Sequence, residues 1–188
     1  MSFGKSLGYS LVLFVALNFV FAIIAAAIGG TIDTFFSGIT EDPLGILLTL
    51  FAPILLFPGL SHISLILGAL LSGELGGNLS FLLVFIGYIA SPLIAALVGG
   101  KMAETKGEAF GAWLVTMFIS AGALIVVSFI GQDISASLSA LGSLGLLLGG
   151  ITGVGGDVFI IGYLLLMAYL NGVFYSAFAM LTSGMDYY

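Results

Sequence analysis

Long apolar runs separated by short polar stretches dominate the chain. Residues 6–30, 79–100, 109–131 and 158–181 are apolar over about 20 residues or more, the length with which an α-helix crosses a bilayer. We predict a membrane-spanning helix in each run. The first run is longer than the roughly 7 to 15 apolar residues of a signal peptide, so we expect it to be retained.

The apolar segment of residues 44–71 has a different pattern, because prolines divide it. Pro58 and Gly59 separate two arms, and Pro53 lies within the first. Each arm is shorter than the roughly 20 residues of a full crossing, Pro-Gly favours a turn, and Pro53 removes a helical hydrogen bond. We predict a re-entrant hairpin with Pro58 and Gly59 at its tip; two short tilted crossings are the alternative.

The remaining stretches are more polar. Residues 31–43 form an acidic connection, in which Phe35 and Phe36 could lie at the membrane interface. Residues 135–156 are rich in glycine and serine, and such a helix packs closely against neighbours rather than facing lipid alone. Ser91 and Pro92 predict a kink in the helix at 79–100.

These patterns together predict an all-α integral membrane protein. We expect one transmembrane domain over residues 1–188, without a soluble domain, built as a helical bundle of roughly six spanning elements that include the proline-broken segment. The composition agrees: 61% of the residues are hydrophobic and 6% are charged, with a mean hydropathy of +1.31. The lipid bilayer is the first expected partner.

Charge and cysteine content narrow the function classes. A net charge of −6 with no arginine disfavours binding to nucleic acid. The chain has no cysteine, which excludes disulfides and thiolate metal sites. Lys5, Lys101 and Lys106 are the positive residues, so the positive-inside rule predicts that the N-terminus and the loop holding Lys101 and Lys106 are cytoplasmic, with the protein in the plasma membrane.

A small set of polar and aromatic residues interrupts the apolar runs. Asn18 and Asn171 should hydrogen-bond to neighbouring helices rather than face lipid. Tyr163, Asn171 and Tyr175 fall at helical spacing, and this stripe either packs or lines a small cavity. Trp113, near the start of its run, is expected to be an interfacial anchor.

The single histidine, His62, follows the predicted hairpin tip. Beside Ser61 and Ser64 it could bind a polar ligand; otherwise water or backbone groups satisfy its nitrogens at the interface. The candidate ligand or cavity residues are therefore Asn18, His62, Tyr163, Asn171 and Tyr175.

The residues required for common chemistries are missing from the sequence. It has no P-loop, no HExxH motif and no Ser/His/Asp set, so we predict neither an enzyme nor a resident metal or cofactor. Small residues four apart, such as Ala25 with Gly29 and Ala95 with Gly99, permit close helix contact. We predict a non-catalytic subunit or scaffold of a larger membrane complex, or a homo-oligomer. The alternative is a small-solute binding or transport protein with its site between discontinuous helices.

Overall fold

The computed structural model describes residues 2–56, 58, 79–130 and 157–184, and the regular elements in this part of the chain are helical. These elements are α1 (Ser2–Ile28), α2 (Ile32–Glu41), α3 (Ile46–Phe51), a 3₁₀ helix (Ala52–Leu55), α4 (Leu79–Lys101), α5 (Lys106–Phe129) and α6 (Asp157–Thr182). The prediction of an all-α chain is confirmed over these residues.

Four of the helices, α1, α4, α5 and α6, are long and apolar enough to cross a membrane. The α2 helix and the pair formed by α3 and the 3₁₀ helix would count as a fifth span, although the chain bends by 117° between them. The described residues thus support four or five spans, and the prediction of roughly six is confirmed only in part. The stretch at residues 135–156 lies outside the described residues.

Hydrogen bonds fix which helix ends lie together. The Ser2 hydroxyl donates to the Glu108 carboxylate at 2.5 Å, and the Ser6 hydroxyl donates to the Gly99 carbonyl at 2.7 Å. The start of α1 therefore lies beside the end of α4 and the start of α5. We call this the lysine end of the bundle, because it holds Lys5, Lys101 and Lys106.

The opposite end is defined by a contact between α1 and α4. Ser80, at the start of α4, donates its hydroxyl hydrogen to the carbonyl of Ala25, near the end of α1, at 2.8 Å. We call this the acidic end, because the adjoining α2 segment carries Asp33, Glu41 and Asp42. At the lysine end, Thr182 donates to the Leu97 carbonyl at 2.7 Å, so α6 ends where α4 ends.

The spanning helices form two antiparallel pairs. The α1 helix packs along α4, and α5 packs along α6. The two pairs meet through contacts of α1 with α5 and of α4 with α6. Small residues allow this close approach: a Cβ atom on Gly99 would collide with the Ser10 hydroxyl, and one on Gly100 would collide with the Ala179 carbonyl. The small-residue faces near Gly99 and Gly100 thus pack within the chain.

Aromatic side chains fill the centre between the two helix pairs. Trp113 is fully buried and makes edge-on contacts with Phe14, at 5.9 Å between ring centroids, and with Tyr175, at 6.2 Å. Its indole N–H donates to the Asn171 carbonyl at 3.4 Å. The prediction of an interfacial Trp113 is wrong, because α5 begins at Lys106 and turns this residue toward the neighbouring helices rather than toward the membrane surface.

The start of α5 is specified locally. Thr105 accepts a hydrogen bond from the Glu108 backbone N–H, and the Glu108 carboxylate accepts one from the Thr105 backbone N–H. This reciprocal capping box satisfies two amide groups that have no partner within the helix. Pro92 lies inside the continuous helix α4, and the kink expected there stays a prediction.

Candidate ligand-binding cavity

The segment of α3 and the 3₁₀ helix is a helix that stops inside the bundle. The α-helix ends at Phe51, the 3₁₀ helix follows from Ala52 to Leu55, and the chain is extended at Leu56. Pro53 has no N–H group and lies in the first turn of the 3₁₀ helix. Helix termini leave carbonyl groups without intrahelical donors, and these need other partners at membrane depth.

Side chains of α6 supply donors to those carbonyls. The Asn171 amide donates to the carbonyl of Ile54 at 3.2 Å and to that of Leu56 at 3.1 Å. The Tyr163 hydroxyl donates to the Leu55 carbonyl at 2.6 Å. The polar stripe of α6 therefore holds the end of the broken helix.

The α1 helix supplies a further donor from the other side. The Asn18 side-chain amide donates to the Leu50 carbonyl at 2.7 Å. We call Asn18, Tyr163 and Asn171 the clamp residues. They come from helices at the two ends of the sequence and meet at the same proline-broken segment.

The clamp also fixes how deeply this segment enters the bundle. Asn171 lies near the middle of α6, so Ile54 and Leu56 reach about the middle of the bundle. The segment starts beside α2 at the acidic end, and we call its described part, residues 46–56, the inbound arm. The second arm of the predicted hairpin lies outside the described residues, so the hairpin stays a prediction. Pro58 is a buried turn residue, whereas Gly59 and His62 lie outside the described residues.

A cavity of about 570 Å³ adjoins the inbound arm, in the half of the bundle nearer the acidic end. Its walls come from α1, the start of α2, the α3 segment and the first half of α4. The lining residues are Asn18, Phe21, Ala22, Ala25, Ala26, Thr31, Phe35, Leu48, Thr49, Ala52, Leu55, Ser80, Val84, Phe85, Gly87 and Tyr88. This volume is within the roughly 300 to 1,000 Å³ of pockets that bind drug-sized molecules.

The cavity has an apolar wall with a few polar groups. Aromatic and aliphatic side chains cover most of it, and none of the lining residues in the described part of the chain is charged. The hydroxyl of Ser80 is held by the Ala25 carbonyl at 2.8 Å, and that of Thr31 by the Ala26 carbonyl at 3.4 Å. The Oδ1 atom of Asn18 is buried and has no hydrogen-bond partner in the described part of the chain.

The predicted site residues divide between two places. Asn18 both clamps the broken helix and lines the cavity. Tyr163 and Asn171 face the broken helix, and Tyr175 packs against Trp113; these three are not among the lining residues. Two members of the predicted stripe, Tyr163 and Asn171, therefore meet at the broken helix, whereas Tyr175 belongs to the aromatic centre of the bundle.

Several lining residues were not predicted from the sequence. Ser80, Val84 and Tyr88 of α4 recur at four-residue spacing, which places them on one helix face. Asn18, Ala22 and Ala26 form the matching face of α1. The sequence signal for this cavity is the recurrence of hydroxyl and small residues at this spacing in the segments that form α1 and α4.

The described residues contain no group of three or more histidine, aspartate or glutamate side chains able to hold a metal ion. Comparison with protein-family models, curated proteins and solved structures finds no match. The geometry of the cavity and of the clamp is therefore the basis for a functional assignment.

Proposed function

We propose that the protein is a non-catalytic membrane protein that binds a small solute in the cavity, as a permease or a substrate-binding membrane component does. The observation that carries the proposal is a cavity of about 570 Å³ beside a helix that stops at mid-bundle. Discontinuous helices next to a cavity are a recurrent arrangement in transporters, because broken backbone is tolerated at membrane depth only where it is buried or lines a cavity.

The position of the cavity supports binding. The α1 and α4 helices are in close contact in both halves of the bundle, since a Cβ atom on Gly99 would collide with Ser10 and one on Gly87 would collide with Phe21. The cavity therefore lies beside this contact, where α1 and α4 meet α2 and the inbound arm. Its mostly apolar wall can bury the apolar surface of a small molecule.

The subunit or scaffold hypothesis stays a prediction. It was motivated by small-residue faces, and the described structure uses Ala25, Ala95 and Gly99 in contacts within the chain. These residues therefore give no separate support for a partner. A partner that copurifies in stoichiometric amount would favour this hypothesis.

The orientation is part of the same proposal. Lys5, Lys101 and Lys106 lie at one end of the bundle, and we propose that this end faces the cytoplasm of a cell whose plasma membrane holds the protein. The cavity then lies in the half of the membrane away from the cytoplasm. A solute entering it comes from that side or from the lipid of that leaflet.

The test is to identify small molecules that copurify with the protein. Protein extracted from its native membrane in mild detergent is washed, and bound molecules are released with organic solvent and identified by mass spectrometry. Ala22→Trp fills the cavity from α1, whereas Val20→Trp, at a position 48% exposed on the same helix, is the matched control. We expect a molecule at stoichiometric amount in the wild type and in Val20→Trp, and its loss in Ala22→Trp. Equal recovery from both variants, or none from the wild type, would overturn the proposal.

A further inference from the structure

The hydrogen-bonding groups in the cavity wall identify the chemical class of its ligand. Resting on the proposed function, we infer that the ligand is an uncharged molecule with an apolar body and a hydrogen-bond donor, as in a neutral alcohol, rather than an ion or a molecule with acceptors alone. The inference depends on the charge of the wall, its aromatic surface and the state of its polar groups.

The described lining residues carry no charge, and this favours a neutral ligand over an ion. Moving an ion from water into an apolar site is costly unless an opposite charge or several dipoles receive it. The acidic residues nearest in sequence, Asp33 and Asp42, belong to the α2 segment and do not line this cavity. A neutral ligand avoids the unpaired charge.

The apolar part of the wall specifies the body of the ligand. Phe21, Phe35 and Phe85 contribute aromatic rings, and alanines of α1 lie between them. Burying apolar surface against such a wall stabilises a bound molecule in proportion to the area covered. The body of the ligand is therefore aliphatic or aromatic.

Asn18 presents an acceptor rather than a donor. Its Nδ2 atom donates to the Leu50 carbonyl, which can only accept, so the amide orientation is determined and Oδ1 is the atom left without a partner. Asn18 is only 4% exposed. A buried acceptor without a partner is unfavourable. Because Oδ1 is closed off from a water-sized contact in this structure, a ligand hydroxyl pairs with it only after the side chains around it shift, and such pairing removes that cost.

Two hydroxyl groups of the wall also offer hydrogen-bond acceptors. Ser80 and Thr31 use their hydrogens on the carbonyls of Ala25 and Ala26, so their oxygens offer lone pairs to a ligand. The hydroxyl groups of Thr49 and Tyr88 can donate or accept and fit either kind of ligand. The wall therefore offers more free hydrogen-bond acceptors than free donors, so a complementary ligand carries a hydrogen-bond donor.

The probe for this inference is azioctanol, a photoreactive form of octanol. Purified protein in phosphatidylcholine vesicles is illuminated with the probe, and labelled peptides are located by mass spectrometry. We expect labelling of the α1 and α4 peptides that contain Phe21 and Tyr88. Ala22→Trp should abolish it, and Val20→Trp should leave it unchanged.

Competition separates the donor requirement from simple hydrophobic binding. Octanol and heptyl methyl ether have the same number of non-hydrogen atoms, but the ether lacks a donor. At equal mole fraction in the membrane, we expect octanol to compete about fivefold better, the effect of one hydrogen bond. Equal competition would overturn the donor inference while leaving a cavity that binds apolar solutes. Absence of cavity labelling would also overturn the inference, and the copurification measurement then decides the proposed function separately.

Discussion

The amide of Asn171 donates to the backbone carbonyl of Leu56, which lies 115 residues earlier in the chain, at 3.1 Å. The same amide group also reaches the carbonyls of Ile54 and Met167. One side chain of α6 therefore receives the end of a helix that stops inside the bundle. This contact explains why a polar residue occupies the middle of a membrane-spanning helix.

Replacing Asn171 with leucine should destabilise the fold. The change keeps the number and branching of the side-chain heavy atoms but leaves the carbonyls of Ile54 and Leu56 without this donor, at a cost of about 1 to 3 kcal/mol. Unfolding in mixed micelles with increasing dodecyl sulfate gives the free energy of unfolding. Val173→Leu, at an exposed position of the same helix, is the control. A loss no larger than that of the control would contradict the assigned role.

Two tyrosines of α6 offer a matched comparison of a single hydroxyl group. The Tyr163 hydroxyl donates to the Leu55 carbonyl, whereas Tyr169 is 54% exposed. Tyr163→Phe should lower the free energy of unfolding by about 1 kcal/mol, because one buried hydrogen bond is lost. Tyr169→Phe should change it little. Equal effects in the same dodecyl sulfate titration would show that Tyr163 does not hold the broken helix.

Substitution by alanine should have different effects on stability at glycines with and without close neighbours. A Cβ atom at Gly100 meets the backbone of Ala179 in α6, which cannot move aside easily, whereas one at Gly122 of α5 meets nothing within 4 Å. Gly100→Ala should therefore separate α4 from α6 and destabilise the protein by about 1 to 3 kcal/mol. Gly122→Ala should be neutral or stabilising, by up to about 1 kcal/mol, since alanine favours helix. Thermal unfolding in detergent measures both, and a stable Gly100→Ala variant would refute the described packing.

The assignment of helix ends predicts a labelling pattern. Because the chain has no cysteine, single substitutions can be labelled with a membrane-impermeant maleimide. Gly4→Cys and Glu104→Cys lie at the lysine end and should react from the same side, with all lysines retained. Ser37→Cys in α2 should react from the opposite side. Labelling of the Gly4 and Glu104 positions from different sides would contradict the bundle topology.

The sequence predicted the spanning helices closely because their apolar runs are long. The run at residues 79–100 became α4, Leu79–Lys101, since Lys101 marks the polar boundary. The α2 helix was missed: Ile32, Phe35 and Ile39 recur at helical spacing, but the acidic residues between them made the segment read as a connection.

The clamp and the cavity depend on contacts that local patterns do not encode. The sequence indicated that Asn18 and Asn171 need partners, and it indicated a break at Pro53, but these features lie far apart in the chain. Which carbonyl each amide reaches depends on how the two helix pairs pack. The position of Trp113 failed for the same reason, since distance from the start of α5 does not determine which face meets a neighbour.

The 115-residue separation between Leu56 and Asn171 also bears on how the protein is made. At a synthesis rate of roughly 5 to 20 residues per second, the carbonyls at the end of the broken helix leave the ribosome about 6 to 23 seconds before the amide that receives them. During that interval the carbonyls at the end of the inbound arm lack their donors from α6. These hydrogen bonds form only after α6 has been translated, and a nascent chain stalled before residue 157 would lack them.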